Sequence, residues 1–211
     1  LYLRGNHDWK TNFMEGRTIP ENFKCFGTDW VEHQYGKVSV WGKETMEDDA
    51  NYAALMTEPD RTNIVMLHGQ EVRSNVKDDA SLVALPALKN RNIDYLALGH
   101  IHSYKKEKLD DRGEYCYSGC PEGRGFDECG EKGVVMLEVK DGKVDSRFVP
   151  MASRILHEIR VDITGQETAT DILRAVDKEV ANIPPKDMVK IVLTGHYTVD
   201  TEKDFTYFDQ A

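Results

Sequence analysis

The chain has 211 residues, of which 40% are hydrophobic and 30% are charged, and its formal net charge at pH 7 is -10. This composition is typical of a globular protein with one sizeable core, and no apolar run approaches the roughly 18 residues of a membrane span. The first residues do not resemble a signal peptide, so we expect a cytoplasmic protein without membrane contact. The acidity argues against a broad nucleic-acid interface, because proteins that grip phosphates usually carry a basic face.

The chain opens on the end of a predicted strand, residues 1–3, which leads into Gly5-Asn6-His7-Asp8. A first strand and helix of an α/β sheet would be expected before this strand, and the sequence starts after them. We therefore expect these residues to be the carboxyl-terminal part of a longer protein, with a sheet that is incomplete at its amino-terminal end.

The next region predicts an antiparallel sheet edge followed by a buried strand. Residues 9–22 are largely polar and are expected to cross the rim of a site. Three short strands are then predicted: residues 23–26, 30–34 and 37–42. His33 lies within this pattern and is interpreted as a strand residue that faces solvent. Residues 48–56 are predicted to form a short helix, and residues 63–67 form a buried strand that ends at His68.

A second buried strand ends in two further histidines. Pro86 favours a short helix that begins near it and leads towards this strand. The apolar residues 96–98 stop at Gly99, and His100 and His102 follow in alternation. Because they lie on a loop beyond a glycine, the two imidazoles can approach a common space from different directions. This arrangement suits one metal ion or two adjacent ions.

Three predicted strands therefore end in polar clusters that contain histidine. Of the seven histidines in the chain, four lie in these clusters: His7, His68, His100 and His102. The carboxyl ends of strands in an open α/β sheet border the crevice where ligands bind. Imidazole nitrogens and amide oxygens are ligands that transition metals accept. The sequence predicts a shared metal site at this edge of the sheet.

Two hairpins are predicted after the histidines. Residues 105–109 and 114–117 flank a turn at Asp110-Asp111-Arg112-Gly113, and residues 133–139 and 143–149 flank Asp141-Gly142. We expect these hairpins to form a second, antiparallel sheet.

The pattern changes after Arg154. Residues 157–163 alternate as a strand, residues 168–183 have apolar positions at helical spacing, and residues 188–193 form a further strand. Thr168 is the expected cap of the helix. This β-α-β unit is too small to bury much core by itself. It is either a separate small domain or an extension of the main sheet.

The histidine clusters, in this order, resemble a known family. Gly5-Asn6-His7-Asp8, His68-Gly69 and Gly99-His100-Ile101-His102 are similar to the last three motifs of the calcineurin-like metallophosphoesterases. Residues 117–133 resemble the loop that follows the last motif in SbcD-type DNA repair exonucleases. The resemblance implies an α/β (α+β) fold: a four-layer β-sandwich with flanking helices, incomplete at its amino-terminal end, over residues 1–152, and a β-α-β cap domain over residues 153–211.

The resemblance also implies roles for the clustered residues. Four of them are the implied metal ligands: Asn6, His68 and His100 for one ion, and His102 for the other. His7 is implied to act as a general acid at the leaving oxygen, with Asp8 orienting its imidazole. The implied metal is Mn²⁺, with two ions in the complete protein.

The family takes further ligands, including a bridging carboxylate, from Asp-x-His and Gly-Asp-x-x-Asp motifs, and neither motif occurs in these 211 residues. Two dications within about 4 Å repel strongly without an anion between them. We therefore expect this chain alone to hold at most one weakly bound ion and to be inactive.

Three functions of different classes remain open at this point. The first is a metal-dependent phosphodiesterase of the SbcD type, which cuts DNA in repair together with an SbcC-like ATPase subunit and forms a homodimer through segments upstream of this chain. The second is a phosphoesterase of the same fold that acts on a small nucleotide or a phosphoprotein, which the acidity favours. The third is a non-catalytic scaffold that docks a partner.

Overall fold

The computed structural model describes residues 1–8, 16–45, 51–73 and 82–196. The chain divides into two compact units. The first comprises Leu1–Pro121 and Gly133–Pro150, and the second comprises Glu122–Lys132 and Met151–Ala211. The domain boundary after residue 152 stays a prediction.

Strands dominate the first unit. In chain order they are β1 (Val31–Tyr35), β2 (Val38–Gly42), β3 (Thr62–His68), β4 (Gln70–Val72), β5 (Leu82–Ala84), β6 (Tyr95–Gly99), β7 (Lys105–Lys108), β8 (Glu114–Tyr117), β9 (Gly133–Lys140) and β10 (Lys143–Pro150). Six of these form one sheet in the order β1-β2-β3-β6-β8-β7. Strands β2, β3, β6 and β8 are parallel, and β1 and β7 are antiparallel edges. The mixed α/β, strand-rich fold is thus confirmed.

The central strands are apolar because parallel strands are covered on both faces. Val65 on β3 and Leu96 on β6 are fully buried. Both belong to a core that consists of Trp41, Leu55, Val65, Leu67, Val83, Leu85, Leu88, Ile93, Leu96, Leu98, Leu109, Tyr115 and Tyr117. In the register of β3 and β6, His68 is level with Gly99. Because β2, β3 and β6 are parallel, the segments that follow them emerge at the same edge of the sheet.

The second hairpin sheet differs from the prediction. The hairpin of β7 and β8 joins the main sheet, because β8 pairs in parallel with β6. In the described residues, β9 and β10 form a separate two-stranded antiparallel sheet, and β4 and β5 form a parallel pair.

Smaller predictions had mixed outcomes. The short helix near Pro86 is confirmed as α1 (Leu85–Leu88). Residues 23–26 were expected to be a strand, but their pairing is a single bridge between Tyr2 and Cys25. His33, predicted to face solvent, is half-buried, with its ring 5.3 Å from that of Phe26.

Two predicted segments fall partly outside the described residues. Within the predicted helix over residues 48–56, a 3₁₀ turn occupies Tyr52–Ala54, and residues 48–50 lie outside the described ranges. Of the predicted rim segment, residues 9–15 likewise lie outside them.

The second unit contains the predicted β-α-β arrangement, which is confirmed. Strand β11 (Leu156–Asp162) pairs in parallel with β12 (Met188–Thr194), and α2 (Ala169–Val180) connects them. The helix begins where the Thr168 side chain accepts a hydrogen bond from the Asp171 amide at 3.2 Å. Ile172 and Val176 on its buried face form a core cluster with Val161, on β11, and Ile163, which follows β11. Among the described residues, no helix has the length and apolar character that a membrane crossing requires.

Candidate metal centre

The end of β3 and two loops bring three of the candidate residues together: His68, Asn6 and His100. Asn6 lies in the loop of residues 4–8, called the Asn6 loop. The segment that leads into this loop is fixed beside residues 24–26, because the Tyr2 amide donates to the Lys24 carbonyl at 2.8 Å. The Oδ1 atom of Asn6 lies 2.9 Å from Nε2 of His68, at the end of β3. The rings of His68 and His100 are 5.4 Å apart and nearly perpendicular, at 84°. Three of the four predicted ligands therefore converge.

Two glycines make room for the imidazole of His68. A Cβ atom placed on Gly5 would lie 2.5 Å from Cε1 of His68, and one placed on Gly99 would lie 2.7 Å from Nδ1. Both distances are far below van der Waals contact, so any side chain at either position would displace the ring. The glycines of the first and last motifs are explained by this close approach.

The backbone around His68 is also held in place. The Thr45 hydroxyl donates to the His68 carbonyl at 3.1 Å. The Gly69 amide donates to the Gly99 carbonyl at 3.2 Å, which ties the end of β3 to the end of β6. The imidazole is thus attached to a backbone with one partner in the segment that follows β2 and another at the end of β6.

Asp8 closes the turn that presents Asn6. Its carboxylate accepts a hydrogen bond from the Gly5 amide at 2.8 Å, and the Asp8 amide donates to the Gly5 carbonyl at 3.0 Å. Burial and a hydrogen bond with this carboxylate raise the pKa of Tyr2 to about 12. Asp8 therefore shapes the Asn6 loop, and its role towards His7 stays a prediction.

The electrostatics of the cluster favour a neutral His68. Burial lowers the pKa of the His68 imidazole, and the charges of His100, His7 and His102 lower it further, against an opposing effect of Asp8. These four residues therefore lie within electrostatic range of His68. A neutral imidazole has a free lone pair, which is the form that binds metal ions.

The backbone of His100 is in a rare conformation. Its φ is 103°, in the region that non-glycine residues seldom occupy. Such a conformation costs on the order of 1–3 kcal/mol and persists where the surrounding structure imposes it, often at a functional site. In His100 it occurs directly after β6, at the point where the chain turns to place the ring beside His68.

The residues that follow β2 belong to the same edge of the sheet, and histidine-based reasoning missed them. Glu44 is 1% exposed, and its carboxylate binds the Arg4 guanidinium at 2.9 and 2.7 Å. Arg4 directly precedes Gly5, so this ion pair anchors the Asn6 loop to the end of β2. The available signal was the polar run Lys43-Glu44-Thr45 after an apolar strand, the same signal that identified His68.

The donor atoms fit a divalent transition metal. Two ligands at right angles on one ion, each about 2.1 Å from it, are about 3 Å apart. The 2.9 Å between Asn6 Oδ1 and His68 Nε2, which is also an ordinary hydrogen-bond distance, is compatible with that spacing. An amide oxygen with two imidazoles is a mixed oxygen and nitrogen set, which Mn²⁺, Fe²⁺ and Zn²⁺ all accept.

Comparison with known proteins bears on this site. No protein-family model matches the chain. It is 26% identical over 207 residues to an uncharacterised metallophosphoesterase, YhaO, of Bacillus subtilis, and 24% identical over 201 residues to the DNA double-strand break repair protein Mre11 of Thermoplasma acidophilum. These similarities support the metallophosphoesterase superfamily. The alignments cover 90% and 89% of this chain but 50% of each relative, so the chain spans about half of their length.

Metallophosphoesterases are hydrolases, and the superfamily implies the use of a divalent metal. The strand-rich sheet of the first unit is consistent with a metallophosphoesterase fold. His68 is the last residue of β3 and His100 directly follows β6 of that sheet, while Asn6 follows the isolated bridge between Tyr2 and Cys25. The similarity implies a divalent metal, and the donor cluster of Asn6, His68 and His100 is a place where such an ion could bind.

Proposed function

We propose that this chain carries part of the active centre of a metal-dependent phosphodiesterase that cuts DNA in the SbcD manner. The convergence of Asn6, His68 and His100 at the carboxyl edge of a parallel sheet carries this proposal. One relative is a DNA double-strand break repair protein, which supports DNA as the substrate.

In this proposal, four residues hold metal ions: Asn6, His68 and His100 for one ion, and His102 for the other. Bound Mn²⁺ would supply Lewis-acid stabilisation of the phosphate and an activated water. His7 would face the leaving oxygen and donate a proton to it, with Asp8 fixing the imidazole. The lowering of the His68 pKa by burial and by the neighbouring histidines supports its role, because it favours the neutral imidazole that binds metal.

The proposal extends to the whole protein. The whole protein would act in the cytoplasm on DNA ends, together with an SbcC-like ATPase subunit. It would form a homodimer through segments outside these 211 residues. Residues 153–211 would be a cap domain, which the β-α-β arrangement of β11, α2 and β12 supports.

Charge favours a second candidate, a phosphoesterase that acts on a small nucleotide or a phosphoprotein. The net charge of -10 disfavours a long DNA track. Several of the described cations are also neutralised by carboxylates: Arg4 by Glu44, Arg73 by Glu107, Lys105 by Glu71 and Arg112 by Asp94. A small substrate would need the metal centre alone.

One experiment separates these functions from each other and from a scaffold. The complete protein, with Mn²⁺, is assayed on linear double-stranded DNA and on a chromogenic phosphodiester, with EDTA as the control. The proposal predicts metal-dependent cleavage of the DNA. Cleavage of the chromogenic ester alone would favour the small-substrate phosphoesterase. Inactivity on both substrates with intact partner binding would favour the scaffold.

A further inference from the structure

The hydroxyl of Tyr117 contacts the chain immediately beyond His68. It accepts a hydrogen bond from the Glu71 amide at 2.7 Å and donates to the Gly69 carbonyl at 2.8 Å. Gly69 alone separates β3 from β4, and Glu71 is the second residue of β4. One hydroxyl therefore bridges Gly69 and Glu71, the two ends of the short turn, residues 69–71, by which the chain passes from His68 into β4.

The geometry of the sheet explains why this contact constrains His68. Strand β6 lies between β8, which carries Tyr117, and β3, which carries His68. The Tyr117 side chain is 0% exposed and packs within the core, so its ring is held by its neighbours. Its hydroxyl therefore fixes the turn after His68 to β8, a strand that is not adjacent to β3 in the sheet.

We propose that the Tyr117 hydroxyl is a positioning group for His68, which holds the imidazole where it can share a metal ion with Asn6. This inference rests on the proposed metal-dependent function. Groups that orient metal ligands from outside the coordination sphere typically contribute about tenfold to a hundredfold in metal affinity. Tyr117 acts through the backbone and not on the ring, so its contribution lies near the lower end of that range.

A purely structural role is the alternative, and the same strand offers a matched control. Tyr115 is two residues from Tyr117, lies on the same face of β8 and is 1% exposed. Its hydroxyl donates to a carboxylate oxygen of Glu107, on β7, at 2.7 Å. Loss of either hydroxyl removes a hydrogen bond made by a buried tyrosine, but only the Tyr117 hydroxyl is bonded to the turn after His68.

The test measures the affinity of the complete protein for Mn²⁺ by electron paramagnetic resonance. It compares Tyr117→Phe and Tyr115→Phe with the unsubstituted protein, at a temperature where circular dichroism shows all three to be folded. We expect about tenfold weaker binding in Tyr117→Phe and unchanged binding in Tyr115→Phe. Equal Mn²⁺ affinity in Tyr117→Phe and the unsubstituted protein, or equal losses of affinity in the two variants, would overturn this inference and leave the proposed function standing. If the unsubstituted protein binds no Mn²⁺, the proposed function fails and the inference fails with it.

A second measurement needs no variant and applies even if Tyr117→Phe does not fold. Coupling between two sites is reciprocal, so metal binding at His68 must stabilise the turn that Tyr117 holds. Saturating Mn²⁺ should slow hydrogen exchange of a peptide that contains the Glu71 amide. A peptide that contains the Leu109 amide, which is bonded to the Gly113 carbonyl, is the internal control. Unchanged exchange at Glu71 in protein that binds Mn²⁺ would contradict the inference.

Discussion

The Nε2 atom of His68 lies 2.9 Å from the Oδ1 atom of Asn6, although 62 positions separate the two residues in the chain. Neither side chain can reach the other unless β3 and the Asn6 loop end at the same level of the sheet. The parallel pairing of β2 with β3, and the single bridge between Tyr2 and Cys25, help to set that level. The contact is therefore a property of the whole sheet and not of a local motif.

The space around the His68 ring predicts that Gly99→Ala weakens metal binding. The added Cβ would lie 2.7 Å from Nδ1 of His68, so the ring must leave its present position beside Asn6. Overpacking of this kind costs about 1–3 kcal/mol, and we expect a matching loss of Mn²⁺ affinity by calorimetry. Gly27→Ala is the control, because a Cβ at Gly27 meets nothing within 4 Å. Equal affinities in both variants would show that the ring does not depend on this space.

His7 and His100 are predicted to respond differently to substitution in the complete protein. His7→Ala should all but abolish turnover, because loss of a general acid lowers the rate by a factor of about 10²–10⁴. The metal content should be nearly unchanged. His100→Ala should lower both metal content and rate, because His100 is a proposed ligand. Measuring the metal content and the reaction rate of both purified variants distinguishes the general-acid role of His7 from the ligand role of His100. Loss of one metal equivalent in His7→Ala would show His7 to be a ligand.

The ion pair between Arg4 and the buried Glu44 predicts a moderate effect on stability. Glu44→Ala leaves the Arg4 guanidinium without its carboxylate, but the Arg4 side chain is 40% exposed and can regain water, so the cost of an uncompensated buried charge does not arise. We expect a loss of about 1–2 kcal/mol, because a charged hydrogen bond is lost at a solvent-screened site. Urea unfolding measures this value. Lys108→Ala, which breaks a pair with the exposed Asp111, should change stability little.

Acid should weaken the second unit through Asp187. Hydrogen bonds from the Ile155 amide and from His157 hold the pKa of the Asp187 carboxyl below its ordinary value. Folding therefore favours the ionised form. The stabilisation is present above the unfolded pKa of about 3.9 and is lost as pH falls through the lower folded pKa.

Asp187→Asn should consequently lower the melting temperature at pH 7, and the difference from the unsubstituted protein should shrink below about pH 4. Thermal scans at several pH values measure this, with the exposed Asp177→Asn as a control for the loss of one negative charge. A difference between Asp187→Asn and the unsubstituted protein that is constant with pH would contradict the assignment.

Much of the sheet could be predicted from sequence because its strands carry strong local patterns. The apolar runs before His68 and Gly99 predicted β3 and β6 correctly, and the placement of polar clusters after parallel strands predicted the meeting of Asn6, His68 and His100. The alternation in residues 157–193 predicted β11, α2 and β12. In each case, burial leaves a period in the sequence that does not depend on distant contacts.

Other features could not be predicted because they depend on pairings between distant segments. A hairpin pattern shows that β7 pairs with β8, but it does not show that β8 joins β6 in the main sheet. Arg4 meets Glu44 across 40 positions, and Tyr117 meets Gly69 across 48. No local period marks such contacts, because they arise only when the strand order is known.

The central claim is that His68 and its neighbours bind a catalytic metal ion. The most direct test is the Mn²⁺ content of the complete protein, measured by equilibrium dialysis with elemental analysis, for the unsubstituted form and for His68→Ala. The account predicts that His68→Ala loses one equivalent of Mn²⁺ and its phosphodiesterase activity while it stays folded by circular dichroism. A folded His68→Ala protein with the same metal content and activity as the unsubstituted form would contradict the account.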